Sequence, residues 1–120
     1  MKQVLALLFL VTQVAQCETI EVTESQNVIA QIGDTIIIKL KENPTTGYSW
    51  QMDFSNTDVA ELQENTYVAP DGKLIGAGGE RQCIIKAEKI GTVIIEGKYI
   101  RRWEKNIPPV RNFKCTITVK

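Results

Sequence analysis

One segment near the middle of the sequence combines residue types that suit insertion into a cleft of another molecule. In the segment Asn43-Pro-Thr-Thr-Gly-Tyr48, Pro44 fixes φ and Gly47 permits a backbone conformation that other residues avoid. Between them, Thr45 and Thr46 present two hydroxyls and no large side chain. The first asparagine can also hydrogen-bond to its own turn. The pattern therefore predicts a stiff, narrow loop.

A second segment, Lys73-Leu-Ile-Gly-Ala-Gly-Gly-Glu80, mixes glycines with apolar residues. Gly76, Gly78 and Gly79, together with Ala77, would let another backbone come close enough for main-chain hydrogen bonds. Glycine-rich loops that hold phosphate lie between a strand and a helix, and this segment lacks that context. A nucleotide site is therefore not expected.

A third segment, Arg101 to Arg111, begins with Arg101, Arg102 and Trp103. An indole flanked by guanidinium groups on a loop is typical of an energetic hot spot in a protein interface. The alternative is that Trp103 folds back over the end of the domain, with its N–H capped by a carbonyl.

The composition argues against most other chemistry. The chain has 120 residues with 14 basic and 14 acidic side chains, no histidine and a formal charge of zero. A neutral chain lacks the basic surface that nucleic acids require, and the absence of histidine removes the commonest general base and metal ligand. Asp53 and Asp58 have the character of solvated residues rather than a catalytic pair. We expect no enzyme activity, no cofactor and no metal.

Residues 1–17 have the character of a signal peptide. A short charged start precedes the apolar run 4–11, and small residues precede a cut between Cys17 and Glu18. The run is about half of the roughly 20 residues that span a bilayer, so a membrane anchor is the weaker interpretation. A lipoprotein signal would make Cys17 the lipidated residue, but Gln16 stands where such signals carry a small one.

The predicted domain, residues 18–120, retains two cysteines, Cys83 and Cys115. An even number of cysteines in an exported protein invites a disulfide, and both residues fall on the inward-facing positions of predicted strands. Two buried free thiols are the alternative, because a bridge requires Cα atoms within about 7 Å.

Short alternating segments predict an all-β domain. In the clearest of them, Tyr48, Trp50, Met52 and Phe54 share one face. Seven to eight strands with turn signals about every 10 residues favour an immunoglobulin-like antiparallel β-sandwich, with a small barrel as the alternative. The predicted strands are residues 19–23, 28–32, 35–40, 48–54, 66–68, 81–87, 92–100 and 113–119.

This fold sets the expected position of several segments. Trp50 points into the core, and the strands at 81–87 and 92–100 are expected to be adjacent and antiparallel because they are joined through a glycine. In an immunoglobulin-like sandwich, the connections at 41–48, 70–80 and 101–111 emerge at the same end.

In this order, the three segments resemble the signature loops of the chagasin family of cysteine-protease inhibitors, which includes amoebiasin-type members. The matching motifs are Asn43-Pro-Thr-Thr-Gly-Tyr48, Gly76-Ala-Gly-Gly79 and Arg101-Arg-Trp103. The resemblance implies an immunoglobulin-like inhibitor that inserts its B–C, D–E and F–G loops into the active-site cleft of papain-like enzymes.

The resemblance also implies a role for each loop. Thr45 and Thr46 would lie against the catalytic cysteine and histidine of the protease. The glycine segment would offer its backbone to one wall of the cleft, and Trp103 with Arg101 would pack on the other. Arg102 stands where the family usually has proline, which predicts a looser third loop and an altered affinity or target preference.

The sequence therefore predicts a reversible inhibitor that forms a one-to-one complex with a papain-like cysteine protease. We expect a monomer that binds no nucleic acid and, after signal cleavage, no membrane. Its expected location is the secretory pathway, outside the cell or in lysosome- or phagosome-like vesicles. The alternative function is a non-inhibitory immunoglobulin-like adhesion or ligand-binding module, which the same fold would permit.

Overall fold

The computed structural model describes residues 17–70 and 78–120. Its strands are β1 (Thr19–Val22), β2 (Gln26–Ala30), β3 (Thr35–Glu42), β4 (Ser49–Phe54), β5 (Ala60–Val68), β6 (Gly79–Ala87), β7 (Gly91–Ile100) and β8 (Arg111–Val119). A 3₁₀ helix, Pro44–Thr46, lies between β3 and β4. Within these ranges, no helix is long and apolar enough to cross a bilayer. The same residues contain no cluster of acidic, cysteine or histidine side chains that could hold a metal ion.

The strands form two four-stranded sheets. The first has the order β1-β3-β6-β5 and the second the order β2-β8-β7-β4. Most neighbours are antiparallel, but β1 runs parallel to β3 and β2 runs parallel to β8. The chain therefore enters the first sheet, crosses to the second after Val22, and contributes one short edge strand to each.

The core fills the space between the sheets. Inward positions of β3, β6, β7 and β8 carry mainly β-branched side chains, which suit extended backbone and pack well on a pleated surface. Fully buried members include Ile36, Ile38, Ile85, Ile95 and Ile117. Burying each such side chain contributes about 1.5–3 kcal/mol relative to exposure.

The prediction of an immunoglobulin-like sandwich is confirmed. Trp50 lies in the core with 7% of its surface exposed. Met52 and Phe54 of β4, and Tyr48 just before it, pack against the same core. The inward faces predicted for residues 81–87 and 113–119 are also observed, since Cys83, Ile85 and Ala87 of β6 and the alternate residues of β8 from Phe113 to Val119 are buried.

The predicted pairing of residues 81–87 with residues 92–100 is wrong. β6 lies between β3 and β5, whereas β7 lies between β4 and β8 in the other sheet. The connection crosses the sandwich, and the N–H groups of Glu88 and Lys89 donate to the carbonyl of Val59 at 2.8 and 3.1 Å. Because both strands have a strongly apolar face, they bury those faces against each other across the core instead of side by side.

The strand predicted at 66–68 is much longer in the structure. β5 begins at Ala60 and pairs with β6 along its whole length, with a bulge between Leu62 and Glu64. As an edge strand it has mostly exposed side chains, and the extra residue of the bulge interrupts the alternation. The predicted strand at 28–32 is displaced by two residues, because β2 ends at Ala30 where the turn to β3 begins.

The connections divide between the two ends of the sandwich. The β3–β4, β5–β6 and β7–β8 connections lie at one end, which we call the loop rim. The opposite pole is formed by residues 31–34, 55–59 and 88–90, which join the remaining long strands. Residues 41–48 and 101–111 therefore lie at the same end of the sandwich, as predicted. Residues 71–77, which belong to the second of the three predicted connections, are outside the described ranges.

Cys83 and Cys115 are free, buried thiols in the structure, as the second of the two alternatives had it, and no disulfide joins them. They occupy β6 of one sheet and β8 of the other. Desolvation is the main cause that raises the pKa of each thiol from its ordinary value of 9.0 to about 11.

We expect the two buried thiols to destabilise the fold above pH 9. In the unfolded chain they lose their protons near pH 9.0, whereas the folded chain keeps them until about pH 11. Below pH 9 both states are protonated, and between the two values the free energy of unfolding falls by about 2 kcal/mol per pH unit from this source. Urea unfolding between pH 8 and pH 10.5 measures the slope. A variant with Cys83→Ala and Cys115→Ala should show a shallower slope, and equal slopes would refute this account.

Candidate functional site

The first loop of the rim is organised by its own residues. The Asn43 side chain accepts hydrogen bonds from the Thr45 backbone N–H at 3.2 Å and from the Thr45 hydroxyl at 2.6 Å. The Thr46 hydroxyl donates to the Asn43 carbonyl at 2.7 Å. Gly47 ends the 3₁₀ turn at φ 82°, a left-handed conformation, and its N–H bonds to the Pro44 carbonyl at 3.0 Å. The threonines are thus presented on a closed turn.

The base of this loop is anchored to both sheets. The Asn43 N–H donates to the hydroxyl of Tyr99 in β7 at 2.9 Å. The Trp50 indole N–H donates to the Lys41 carbonyl at 2.9 Å. This bond ties β4, which follows the loop, to β3, which precedes it. The first contact joins the residue that follows β3 to β7, and the second joins β3 to β4, so the two ends of the loop are held at a fixed separation.

A buried carboxylate completes the anchor. Glu42 is 3% exposed, and its Oε1 accepts the Trp50 backbone N–H at 2.9 Å. Arg81 of β6 donates to Oε1 at 3.2 Å and to Oε2 at 2.7 Å, which makes a bidentate ion pair. Neither residue was among those predicted from the sequence. Glu42 continues the inward positions Ile38 and Leu40 of β3, and a charge at an inward position is the signal that could have identified it.

The second loop approaches the first through its glycines. A Cβ on Gly78 would lie 3.3 Å from the Asn43 side chain and 3.3 Å from the Glu42 carbonyl oxygen. A Cβ on Gly79 would collide with the Val68 carbonyl and the Tyr67 hydroxyl. The absence of a side chain lets Gly78 lie directly beside the first loop, and Gly79 lie against β5. The predicted site residues Gly76 and Ala77 lie outside the described residues.

The third loop contacts the first from the other side. The Arg101 Nε–H donates to the Thr46 carbonyl at 3.0 Å, and its guanidinium stacks over the Tyr48 ring at 4.3 Å. The Glu104 N–H donates to the Arg101 carbonyl at 3.1 Å, closing a turn over Arg102 and Trp103. Arg102 is exposed at the place where the resemblance expects proline. The looser loop expected from this exchange stays a prediction.

Trp103 lies against the first loop and remains largely in solvent. A Cβ on Gly47 would collide with its indole, so only glycine leaves room for this contact. The indole is 69% exposed, which differs from the alternative in which it folds back and is covered. An exposed indole held in place on one side presents a large apolar surface to a partner.

Aromatic rings connect the rim to the core. Tyr48 stacks on Tyr99 with ring centroids 5.3 Å apart, and Trp50 lies 5.0 Å from the same tyrosine. Arg101 covers the outer face of this stack at Tyr48. The stack runs from the exposed third loop to the buried indole of β4. Pairs of this kind are worth about 0.5–1.5 kcal/mol each beyond the area they bury.

The structure therefore brings the predicted site residues that it describes to one rim, in the order second loop, first loop, third loop. The central tip consists of two hydroxyls, one flank consists of glycine backbone, and the other consists of an indole with two guanidinium groups. Such a surface can insert into a groove on a partner protein. Its described residues include no pair of groups suited to acid–base or nucleophilic catalysis.

Known proteins share this architecture. The family model for the chagasin family peptidase inhibitor I42 matches residues 29–117. Amoebiasin-2 of Entamoeba histolytica is 34% identical over 90 residues, which cover 72% of this chain and 72% of that protein. Chagasin of Trypanosoma cruzi is 31% identical over 90 residues, which cover 69% of this chain and 82% of that protein.

A solved structure agrees with the sequence relatives. The crystal structure of the cysteine protease inhibitor EhICP2 from Entamoeba histolytica superposes with a TM-score of 0.80 at 27% identity, covering 89% of this chain and 100% of that one. The fold and rim define an immunoglobulin-like sandwich that presents its first and third loops, together with Gly78 and Gly79 of the second, at one end. The chain belongs to the chagasin family of peptidase inhibitors, which confirms the family resemblance and the inhibitory function it implied.

We expect the ion pair under the first loop to be a main source of stability at the rim. Arg81→Ala leaves the Glu42 carboxylate buried without a cation, and the loss should be about 3 kcal/mol. Glu42→Gln keeps an acceptor for the Trp50 N–H and should lose less. Urea unfolding monitored by circular dichroism measures both. Lys39→Ala, which breaks the more exposed pair with Glu21, is the matched control and should cost less than about 1 kcal/mol; equal losses would contradict the ranking.

We expect Gly47→Ala to displace Trp103. The new methyl group would require the left-handed backbone of an L-residue, at about 1–2 kcal/mol, and would collide with the indole. In a ¹H–¹⁵N spectrum the Trp103 indole N–H resonance should move. Gly33→Ala is the matched control, because Gly33 also has a positive φ of 96° but lies at the opposite pole. An unchanged indole resonance in Gly47→Ala would show that the two loops do not touch.

Proposed function

We propose that this protein inhibits papain-like cysteine proteases reversibly, by inserting the loop rim into the active-site cleft in a one-to-one complex. The observation that carries the proposal is the meeting of the first and third motif loops with Gly78 and Gly79 of the second on one rim, with the two threonines at its tip. The relatives named above include a protein described as a cysteine protease inhibitor, EhICP2. The proposal extends that activity to this chain.

The first loop would block the catalytic centre without being cleaved. A papain-like protease attacks a carbonyl of an extended substrate, which must be placed against the catalytic thiolate. Residues Pro44–Thr46 form a 3₁₀ turn. Asn43 closes it by accepting hydrogen bonds from the threonines, and Gly47 closes it by donating its N–H to the Pro44 carbonyl, so the carbonyls of this segment are not presented in an extended chain. Because both ends of the loop are anchored, opening the turn would also require breaking contacts in the core.

The fixed geometry also favours binding. A flexible loop loses conformational entropy when it is held in a cleft, whereas this loop is ordered before it binds. Three loops on one rim are consistent with a standard interface of about 800 Å² per partner. A tight complex therefore does not require an unusually large contact area.

The flanking loops would grip the two walls of the cleft. Gly78 and Gly79 expose backbone next to the first loop, which suits main-chain contact with one wall. Trp103 supplies the large apolar anchor for the other wall. Because Arg101 donates a hydrogen bond to the first loop, Arg102 is the one of the two arginines that faces solvent and would contact the protease. This difference from the usual proline would alter target preference through charge.

The remaining expectations form part of the same proposal. Residues 1–17 would be removed as a signal peptide, and the domain 18–120 would act as a monomer in the secretory pathway, either secreted or in lysosome- or phagosome-like vesicles. The protein would have no catalytic activity of its own, since its part is to occupy a site. The absence of histidine in the sequence supports that role.

Titration against active papain and a cathepsin tests the proposal. Increasing amounts of the protein should reduce peptidase activity linearly to an end point at one inhibitor per active site, and dilution should restore activity. No effect on any papain-like enzyme would contradict the proposal and favour the adhesion or ligand-binding alternative. A loss of inhibition with time, accompanied by cleavage in the first loop, would show that the loop is a substrate.

We expect Trp103→Ala to weaken protease binding by about 2 kcal/mol or more, a roughly 30-fold increase in the inhibition constant. Because the indole is 69% exposed, thermal stability should stay nearly unchanged. Ile90→Ala is the matched control, since Ile90 is 72% exposed at the opposite pole and should alter neither property. Unfolding of Trp103→Ala with unchanged affinity per folded molecule would assign the indole a structural role instead.

A further inference from the structure

A second buried carboxylate lies at the opposite pole. Among the described residues, the buried charged side chains are Asp34, which is 4% exposed, and Glu42, which is 3% exposed. Glu42 is paired with Arg81, but none of the ion pairs in the described ranges includes Asp34. The Asp34 carboxylate is therefore buried with backbone N–H groups as its hydrogen-bond donors. Burying a carboxylate in this way is costly unless a positive charge accompanies it.

One of those amides belongs to Glu18. Its backbone N–H donates to Asp34 Oδ1 at 2.9 Å, and the Gln31 N–H donates to Oδ2 at 2.8 Å. The Glu18 carbonyl in turn accepts the Thr35 N–H at 2.9 Å. The backbone of Glu18 is thus held on both sides, immediately before β1 begins at Thr19.

The predicted signal-peptide cut falls at this same nitrogen. Hydrolysis of the Cys17–Glu18 peptide bond adds water, giving a carboxylate on Cys17 and an amine on Glu18 that takes up a proton at neutral pH. The atom that donates to Asp34 as a neutral amide would then donate as an ammonium. No movement of the backbone is required, because donor and acceptor are already 2.9 Å apart.

We propose that the Asp34 carboxylate is a preformed binding site for the α-ammonium group of the processed chain. Removal of residues 1–17 would then create an ion pair that stabilises the opposite pole. This ion pair would join the start of β1 to the β2–β3 turn. The turn is itself bonded to β6, because the Asp34 carbonyl accepts the Ala87 N–H at 2.9 Å and the Gly33 N–H donates to the Ala87 carbonyl at 2.8 Å. The unprocessed chain has the same hydrogen bond without the charge.

The site is separate from the loop rim. It lies at the other end of the sandwich, and none of its contacts involves the three motif loops. Processing should therefore change the stability of the fold and leave the inhibition constant unaltered. All eight described strands lie within residues 19–119, so precursor and processed chain share the same sandwich.

The first measurement defines the natural amino terminus. The 120-residue precursor is expressed in a secreting eukaryotic cell, and the mass of the secreted protein is determined intact. A chain that begins at Glu18 is expected. A chain that begins at any other residue overturns the proposal, because its ammonium would not coincide with the donor to Asp34.

The second measurement tests the ion pair by thermal unfolding. Compared with the secreted chain, an N-acetylated chain of the same length should melt lower at pH 6.5 by about 5 °C. A chain that starts one residue earlier, with Cys17→Ser as its first residue, keeps an ammonium but displaces it, and should resemble the acetylated form. In Asp34→Asn, acetylation should make no difference. Equal melting temperatures of the free and acetylated chains with Asp34 intact would overturn the proposal.

The pH dependence gives a third, independent readout. A neighbouring carboxylate raises the pKa of an α-amine above its ordinary value of about 8. The extra stability should be fully present below pH 8 and lost as the pH rises through the raised value. Other ionisable groups carried by the adjoining segments are the side chains of Glu18, Glu21, Lys86, Glu88 and Lys89. Their titration cancels in the difference between free and acetylated chains, and a difference independent of pH would contradict the ion pair.

Discussion

The buried carboxylate of Glu42 is the interaction on which the loop rim depends. Its backbone forms the end of β3 before the first loop, and its side chain holds the Trp50 N–H just after that loop. One residue therefore fixes both ends of the loop. Arg81 supplies the charge that makes burial of this carboxylate tolerable and brings in the strand that carries the second loop. Without such a partner, the core would exclude the carboxylate and the loop would lose its fixed base.

The rest of the rim builds on that base in layers. Tyr99 connects the loop to the second sheet through its hydroxyl, and its ring supports Tyr48, over which Arg101 stacks. Gly47 leaves room for the Trp103 indole. Each layer places an exposed group on one that is less exposed. This arrangement explains how a small sandwich can hold its first and third loops in a fixed relation, which is what insertion into a rigid groove requires.

Much of this arrangement could be predicted from the sequence. Alternation identified β4, β6 and β8, and the Pro44 and Gly47 spacing identified a stiff loop, because those signals are local. Sheet membership could not be predicted in the same way: β6 and β7 are joined by a short turn yet lie in different sheets, a choice made by packing across the core. β5 was obscured by its bulge and exposed edge, and the Glu42–Arg81 pair joins residues 39 positions apart.

The most direct measurement is the crystal structure of this protein bound to papain. The account predicts that Thr45 and Thr46 lie in contact with the catalytic cysteine and histidine, with Gly78 against one wall of the cleft and Trp103 against the other. The first loop should keep its 3₁₀ turn uncleaved. A complex in which the protease contacts the opposite pole, or in which the first loop lies extended through the cleft in the manner of a substrate, would contradict the account.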